Sequence, residues 1–215
     1  MSIRQLFSAL WTTLFPYVPK CVGCGIEKGV AAYLCPSCAG ELTGLEVGAA
    51  NTAGLHSCSV YRYDGLAARI VRSYKYAGNR WLCAFMSEAM TQVLFRHQIR
   101  FDCVCHVPLH RKKRRKRGFD QAALLAQGIA NLTGKPYIDA LKRIRHTPSQ
   151  TKLNAKQRKD NIAGAFVATE KAKGRVLLID DVLTTGATAA ECAAVLQAAG
   201  AQSVTVLTFT QATNV

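Results

Sequence analysis

The sequence predicts an α/β fold: a mostly parallel sheet covered by helices on both faces, preceded by a small four-cysteine module. Three observations lead there. Short β-branched and leucine-rich runs of the fully buried type alternate with helical patterns. One such run delivers two adjacent aspartates into a threonine–glycine turn. Two Cys-x2-Cys pairs stand near the start of the chain. With 215 residues, 49% of them apolar, the chain can bury one α/β core and still carry an appended module. No stretch reaches the roughly 18 uninterrupted apolar residues that a membrane-spanning helix needs, so no membrane insertion is expected.

In chain order, Ile3–Val18 is fairly apolar with Arg4 near its start, but Pro16, Pro19 and Lys20 interrupt it and no small-residue cleavage site follows. It reads as a short amphipathic helix. Lys20 immediately before Cys21 also argues against a lipoprotein cleavage site. Cys21, Cys24, Cys35 and Cys38 then form two knuckles, with Gly23 and Gly25 permitting tight turns. Four thiolates complete a closed, tetrahedral zinc site, and with every position taken by protein the site is structural. Nine cysteines cannot all pair; the other five (Cys58, Cys83, Cys103, Cys105, Cys192) sit in apolar surroundings and read as core. The pattern fits a reducing cytoplasm.

Gly, Ala, Thr and Asn gather over residues 40–54, which places the domain boundary there: a helix and zinc module over 1–50 and an α/β domain over 51–215. Ser57–Tyr63 reads as a strand. Leu66, Ile70 and Tyr74 recur at helical spacing, predicting a helix over Gly65–Ala77 that Gly78 and Asn79 end. The stripe from Leu82 to Leu94 predicts a second helix, and Phe101–Leu109 a strand ending at Pro108. A helix follows from about Gly118 to Leu132. Arg175–Ile179 and Ser203–Phe209 are buried strands, and Gly186–Ala199 between them is a helix stopped at Gly200. Ligands of such sheets bind beyond the carboxyl ends of the strands, which singles out the loops after Pro108 and after Ile179.

The second of these loops is the most informative. A buried strand carries Asp180 and Asp181 to its end, and the chain turns through Thr184, Thr185, Gly186, Ala187 and Thr188 into a helix. Free backbone N–H groups and the positive helix end make such a turn an anion site. Gly186 allows close backbone approach, and the threonine hydroxyls add donors. The two carboxylates suit sugar hydroxyls, or a Mg2+ ion bridging a sugar and a diphosphate.

Charge points the same way. The net charge is +15, and two segments hold half of the 28 cations: seven in Arg111–Arg117 and seven in Lys142–Lys159. A field so concentrated favours a polyanion: a diphosphate, nucleic acid, or both. One diphosphate engages two or three of the cations in Arg111, Lys112, Lys113, Arg114, Arg115, Lys116 and Arg117, and the surplus suits a longer anion such as single-stranded DNA. The connection 143–166 is polar and long for a compact domain, which marks it as a functional loop.

The stretch Ile179–Thr188, I-D-D-V-L-T-T-G-A-T, resembles the phosphoribosyl pyrophosphate (PRPP) signature of type I phosphoribosyltransferases. Further features resemble the ComF/GntX family of competence-associated proteins over nearly the whole chain: Leu14-Phe15-Pro16 before the knuckles, Lys75 within Ser73–Tyr76, and Val107-Pro108-Leu109 before the basic run. Arg117–Gln121 and the spaced set Arg145, Thr147, Gln150, Leu153, Arg158, Asn161, Ala165 and Phe166 continue the likeness. Asp120 departs from it, standing where the family usually has Asn; beside seven cations it is free to pair with Arg117 or to tune the charge.

The resemblance implies a type I phosphoribosyltransferase-like, Rossmann-like sheet with an N-terminal zinc module. It implies that Asp180 and Asp181 contact the ribose, that Thr184–Thr188 cradle the 5-phosphate, and that Leu109, His110, Arg111 and Arg117 meet the diphosphate, with Lys75 joining them. The loop carrying Arg145 and Arg158 then closes over PRPP, and these two arginines with the aspartates are the catalytic candidates. Two functions follow. One is a PRPP-binding protein of natural transformation or DNA utilisation, working beside DNA-uptake proteins and taking single strands on its basic loops. The other is a PRPP-dependent transferase to a nucleobase or amine, in which Mg2+ and the cations stabilise the departing pyrophosphate.

Overall fold

The computed structural model describes residues 20–26, 33–145 and 162–212. The expected helix at Ile3–Val18, the Leu14-Phe15-Pro16 segment, and Thr147, Gln150, Leu153, Arg158 and Asn161 lie outside the described residues.

After the cysteine knuckles, α1 (Pro36–Thr43) begins at a proline, whose fixed φ suits a first helical turn. Strands β1 (Glu46–Thr52) and β2 (Leu55–Arg62) form an antiparallel hairpin. Its two turn residues, Ala53 and Gly54, both have positive φ, the form that two-residue hairpins favour. Helices α2 (Gly65–Tyr76) and α3 (Leu82–Arg96) follow, then β3 (Cys103–His106), α4 (Arg111–Arg117) and α5 (Gln121–Thr133). A ribbon of β4 (Leu141–Arg143) and β5 (Phe166–Ala168) flanks the long connection. The chain returns through β6 (Gly174–Leu183), α6 (Ala187–Ala198) and β7 (Ala201–Gln211).

The main sheet has the order β1-β2-β7-β6-β3, parallel throughout except at the β1 edge. Side chains alternate across it. Leu177 and Ile179 of β6, Val104 of β3 and Leu207 of β7 join α2, α3 and α5 in one core. Val176, Leu178, Cys105 and Val206 join α6 and the ribbon in the other. This is the three-layer α/β architecture that the alternating pattern predicts. The five cysteines outside the knuckles are all buried.

Several elements differ from expectation. Strand β1 has no counterpart in the sequence reading: it is largely exposed and rich in Gly, Ala, Asn and Thr, so no apolar alternation marks it. Strand β3 is four residues, not nine, because the sheet narrows at its edge and Pro108 lacks an N–H to continue the ladder. Strand β6 runs four residues beyond Ile179, with Asp180 paired to Thr208 and Leu183 to Gln211, because β7 extends alongside it. The aspartates therefore lie within the strand. Finally, Arg111–Arg117 is helical where a loop was expected. His110 caps its start by accepting the Lys112 N–H at 3.2 Å, Gly118 closes it at φ 79°, and Arg and Lys are good helix formers.

Candidate functional site

The pleat of β6 determines how its two carboxylates are used. Asp181 continues the face of Leu177 and Ile179 and meets α2, where Lys75 Nζ lies 2.9 Å from its Oδ1; Asp181 is buried and Lys75 partly so. Burial pulls the Lys75 ammonium down, but the Asp181 carboxylate, helped by Asp180, more than reverses this and leaves it raised. Asp180 continues the opposite face, toward Arg143 of β4 and Cys192 of α6. Its Oδ1 accepts the Asp181 N–H at 2.8 Å. Burial first, and then the charge of Asp181, push its carboxyl up to about 8 against the pull of Lys75. Asp181 is ion-paired with Lys75, and Asp180 is held toward its protonated form.

Beyond β6 the chain turns at Thr184–Gly186 into α6. Gly186 caps the helix at φ 74° and brings no side chain of its own to the cap. A Cβ there would lie 3.0 Å from Ala53 and 3.1 Å from Thr52, so the β1–β2 turn backs this loop and only glycine fits between them. The Ala187 N–H faces Thr185 Oγ1 at 3.5 Å.

The cations across from this turn are sorted by helical spacing. In α4, Lys113 and Arg117 (one turn apart) line the same cleft as the aspartates, while Arg111 and Arg114 line a neighbouring cavity. Lys112, Arg115 and Lys116 are exposed and line neither. Burial, reinforced by Arg143, Arg117 and Lys75, lowers Lys113. Asp120 does not take Arg117 as its partner. Its Oδ1 caps α5 by accepting the Ala123 N–H at 3.3 Å, and its Oδ2 accepts the Leu109 N–H at 2.9 Å. Two acceptor oxygens thus tie the turn after β3 to the start of α5, while Arg117 donates to Gln121 Oε1 at 3.0 Å.

The result is one cleft of about 440 Å3 at the carboxyl ends of the strands. It gathers Lys75, Leu109, Lys113, Arg117, Asp180, Asp181, Thr184 and Thr188 from the expected residues. Thr185, Gly186 and Ala187 belong to the same turn without lining it, and His110 serves as the α4 cap. Arg145 stands at the end of the ribbon, donating to the Ala163 carbonyl at 3.0 Å, outside the cleft lining. Sequence reasoning did not single out Arg143, Tyr63 or Gln121. Arg143 reaches both cavities and stacks over Phe166 at 5.2 Å; its signal was its place in the second basic segment. Gln121 Nε2 is buried with no acceptor among the described residues.

The second cavity, about 700 Å3, shares Pro108, Leu109, Asp120 and Arg143 with the first. It contains the buried His106, whose Nδ1 is 3.0 Å from Tyr137 Oη. Burial holds this imidazole below its usual pKa, against the opposing pull of Asp120 and Asp139.

At the other end of α2, the ligand atoms of Cys21, Cys24, Cys35 and Cys38 lie within 4.8 Å of one another, close enough to hold one metal ion. The donor set fits a thiophilic metal. Burial raises the Cys21 thiol, but N–H groups from Cys35 (3.3 Å) and the knuckle, including Gly23 (3.3 Å), more than offset this and bring it to about 6. Cys38 is pushed up to about 12 by burial and the crowded thiols, a repulsion that a cation would relieve. A Cβ at Gly23 would fall 2.7 Å from Cys38 Sγ, so the sulfurs converge only because that position is bare. The module shares the main core through Leu42, Leu45 and Leu66, and Glu41 Oε1 accepts the Leu66 N–H at 2.7 Å at the start of α2. Among the described residues no helix is long and apolar enough to cross a membrane.

No family model matches the chain. Competence protein F of Haemophilus influenzae is 28% identical over 202 residues, covering 89% of this chain and 83% of that protein. The chain is similar to competence protein F over most of the length of both. Competence protein ComFC of Streptococcus pneumoniae is 24% identical, covering 70% of this chain and 66% of its own. DNA utilization protein YhgH of Salmonella typhi is 37% identical over 107 residues, or 49% of this chain, so the match spans about half (47%) of that relative. Among solved structures, glutamine PRPP amidotransferase from B. subtilis aligns with a TM-score of 0.41 and 23% identity, covering 59% of this chain and 25% of that one.

Proposed function

We propose that the protein binds PRPP with Mg2+ in the 440 Å3 cleft and acts in DNA uptake or utilisation in the cytoplasm, taking single-stranded DNA on α4. One observation carries the reading: a single cleft presents a threonine–glycine turn at a helix start, a strand-borne acid pair and two cations of α4. Thr184–Thr188 would hold the 5-phosphate. Asp180, which Lys75 leaves unneutralised, would take the ribose hydroxyls or Mg2+, and Lys113 and Arg117 the diphosphate. The names of the relatives support the DNA role, and zinc in the four-cysteine module supports α2, which carries Lys75. Isothermal titration with PRPP and Mg2+, with and without single-stranded DNA, tests this reading. Saturable heat with PRPP is expected. No heat at millimolar PRPP would refute it.

The adjoining 700 Å3 cavity favours a second reading, turnover with an acceptor seated beside the sugar. Pyrophosphate release from PRPP in the presence of a nucleobase or amine, abolished in D180A/D181A, is the expected result. Stable PRPP against every acceptor tried would leave binding without transfer.

A further inference from the structure

Tyr76 is the last residue of α2, next to Lys75, yet it does not line the cleft and is 72% exposed. Its ring is not loose. The Arg117 guanidinium lies over it, 5.1 Å from the centroid, and Arg117 Nη2 donates to Tyr76 Oη at 3.4 Å. Arg117 is in turn fixed by Gln121 Oε1. On the other side of the Gly118 cap, Arg80 stacks over the buried Phe119 at 4.8 Å and donates to the Gly118 carbonyl at 3.1 Å. An exposed aromatic is therefore braced by a cation at the end of a helix whose Lys112, Arg115 and Lys116 face solvent.

We propose that Tyr76 is a base-stacking platform for single-stranded nucleic acid whose phosphates follow the outer face of α4. This rests on the nucleic-acid reading above and adds what that reading lacks, a contact to a base. Seven helical residues span about 10 Å, so a backbone following them covers a few nucleotides and brings a base level with the ring at the helix end. One ring face is supported by Arg117, and the open remainder offers a π surface that any unpaired base can use. Chemistry chooses a strand over an acidic protein: carboxylates would satisfy the cations but give Tyr76 nothing to stack on. The arrangement sets DNA at the rim of the cleft, one residue from Lys75.

Fluorescence anisotropy on the full chain tests this with two oligomers of equal length, oligo(dT) and an abasic deoxyribose-phosphate strand. Wild type should bind oligo(dT) more tightly than the abasic strand. Tyr76→Ala should weaken oligo(dT) binding about tenfold, leave abasic binding and the salt slope unchanged, and Tyr76→Phe should retain the wild-type preference. Equal oligo(dT) affinity in wild type and Tyr76→Ala would overturn the platform while leaving DNA binding intact. Equal losses on both strands would also overturn it, by making Tyr76 a support for Arg117. Failure of wild type to bind either strand would refute the nucleic-acid reading itself.

Discussion

The two ends of α2 use their polar groups in opposite ways. At its start, the four-cysteine module is closed: all four sulfurs converge, Gly23 leaves no room for a side chain, and Glu41 is committed to the helix N-terminus. At its end, the cleft is open: Lys75 satisfies Asp181, while Asp180 and Lys113 line the cavity. A group surrounded by protein partners supports the fold, and a group held ready without one is there for a ligand. The same helix joins both, so the module is a distant support of the site.

The largest effect should come from breaking the closed end. Chelation, or Cys38→Ser, should lower the melting temperature by on the order of 10 °C or more, because metal binding of this kind is itself folding energy. Differential scanning fluorimetry with and without a chelator measures it. If chelation left both melting and PRPP affinity unchanged, the module would not be a support.

Next comes the ion pair at the open end. Lys75→Met should cost about 3 kcal/mol, because it leaves Asp181 buried and uncompensated, and D181L in the same chain should restore part of the loss. Urea unfolding of the single and double variants reads the coupling. Additive losses would mean that the pair is not the link between α2 and β6.

Asp180 provides a pH test. Its folded pKa is raised to about 8, above its unfolded value, so the native state holds a proton that the unfolded chain has released. Its contribution to stability is complete below about pH 4 and declines as pH rises, until it is lost above about 8. Between pH 6 and 9 the wild type should therefore lose stability relative to Asp180→Asn, whose amide cannot ionise. Parallel curves would show that burial does not disfavour the charge.

The smallest expected effect is at Asp120. Asp120→Asn keeps an oxygen for Ala123 or for Leu109 but not for both, and should cost about 1 kcal/mol. Its larger consequence should be a looser turn after β3 and a few-fold weaker PRPP binding. Unaltered affinity would show that the second oxygen positions nothing the ligand uses.

The layers, the four-cysteine cluster and the position of the cleft at strand carboxyl ends were all legible, because periodicity, ligand spacing and the acid–threonine turn are local signals. What escaped was relational. Strand β1 carries no apolar pattern, since it is largely exposed at the sheet edge, where β2 is its one strand neighbour. The division of labour between Asp180 and Asp181 depended on β6 extending past Ile179, which β7 decides and the sequence of β6 does not. The helix at Arg111–Arg117 was hidden by charge: seven cations suggest a loop until His110 and Gly118 are seen as its caps. That helix then separates the cations into three sets, which composition could not do.

The central claim is that one ligand bridges the turn at α6 and the inner cations of α4. Amide chemical-shift mapping tests it most directly, with ribose 5-phosphate, pyrophosphate and PRPP titrated separately into the Mg2+-containing protein. Ribose 5-phosphate should move Thr184–Thr188, pyrophosphate should move Lys113 and Arg117, and PRPP should move both sets together. Shifts confined to the second cavity, around Gln127 and Thr169, or no shifts with PRPP at all, would contradict the account.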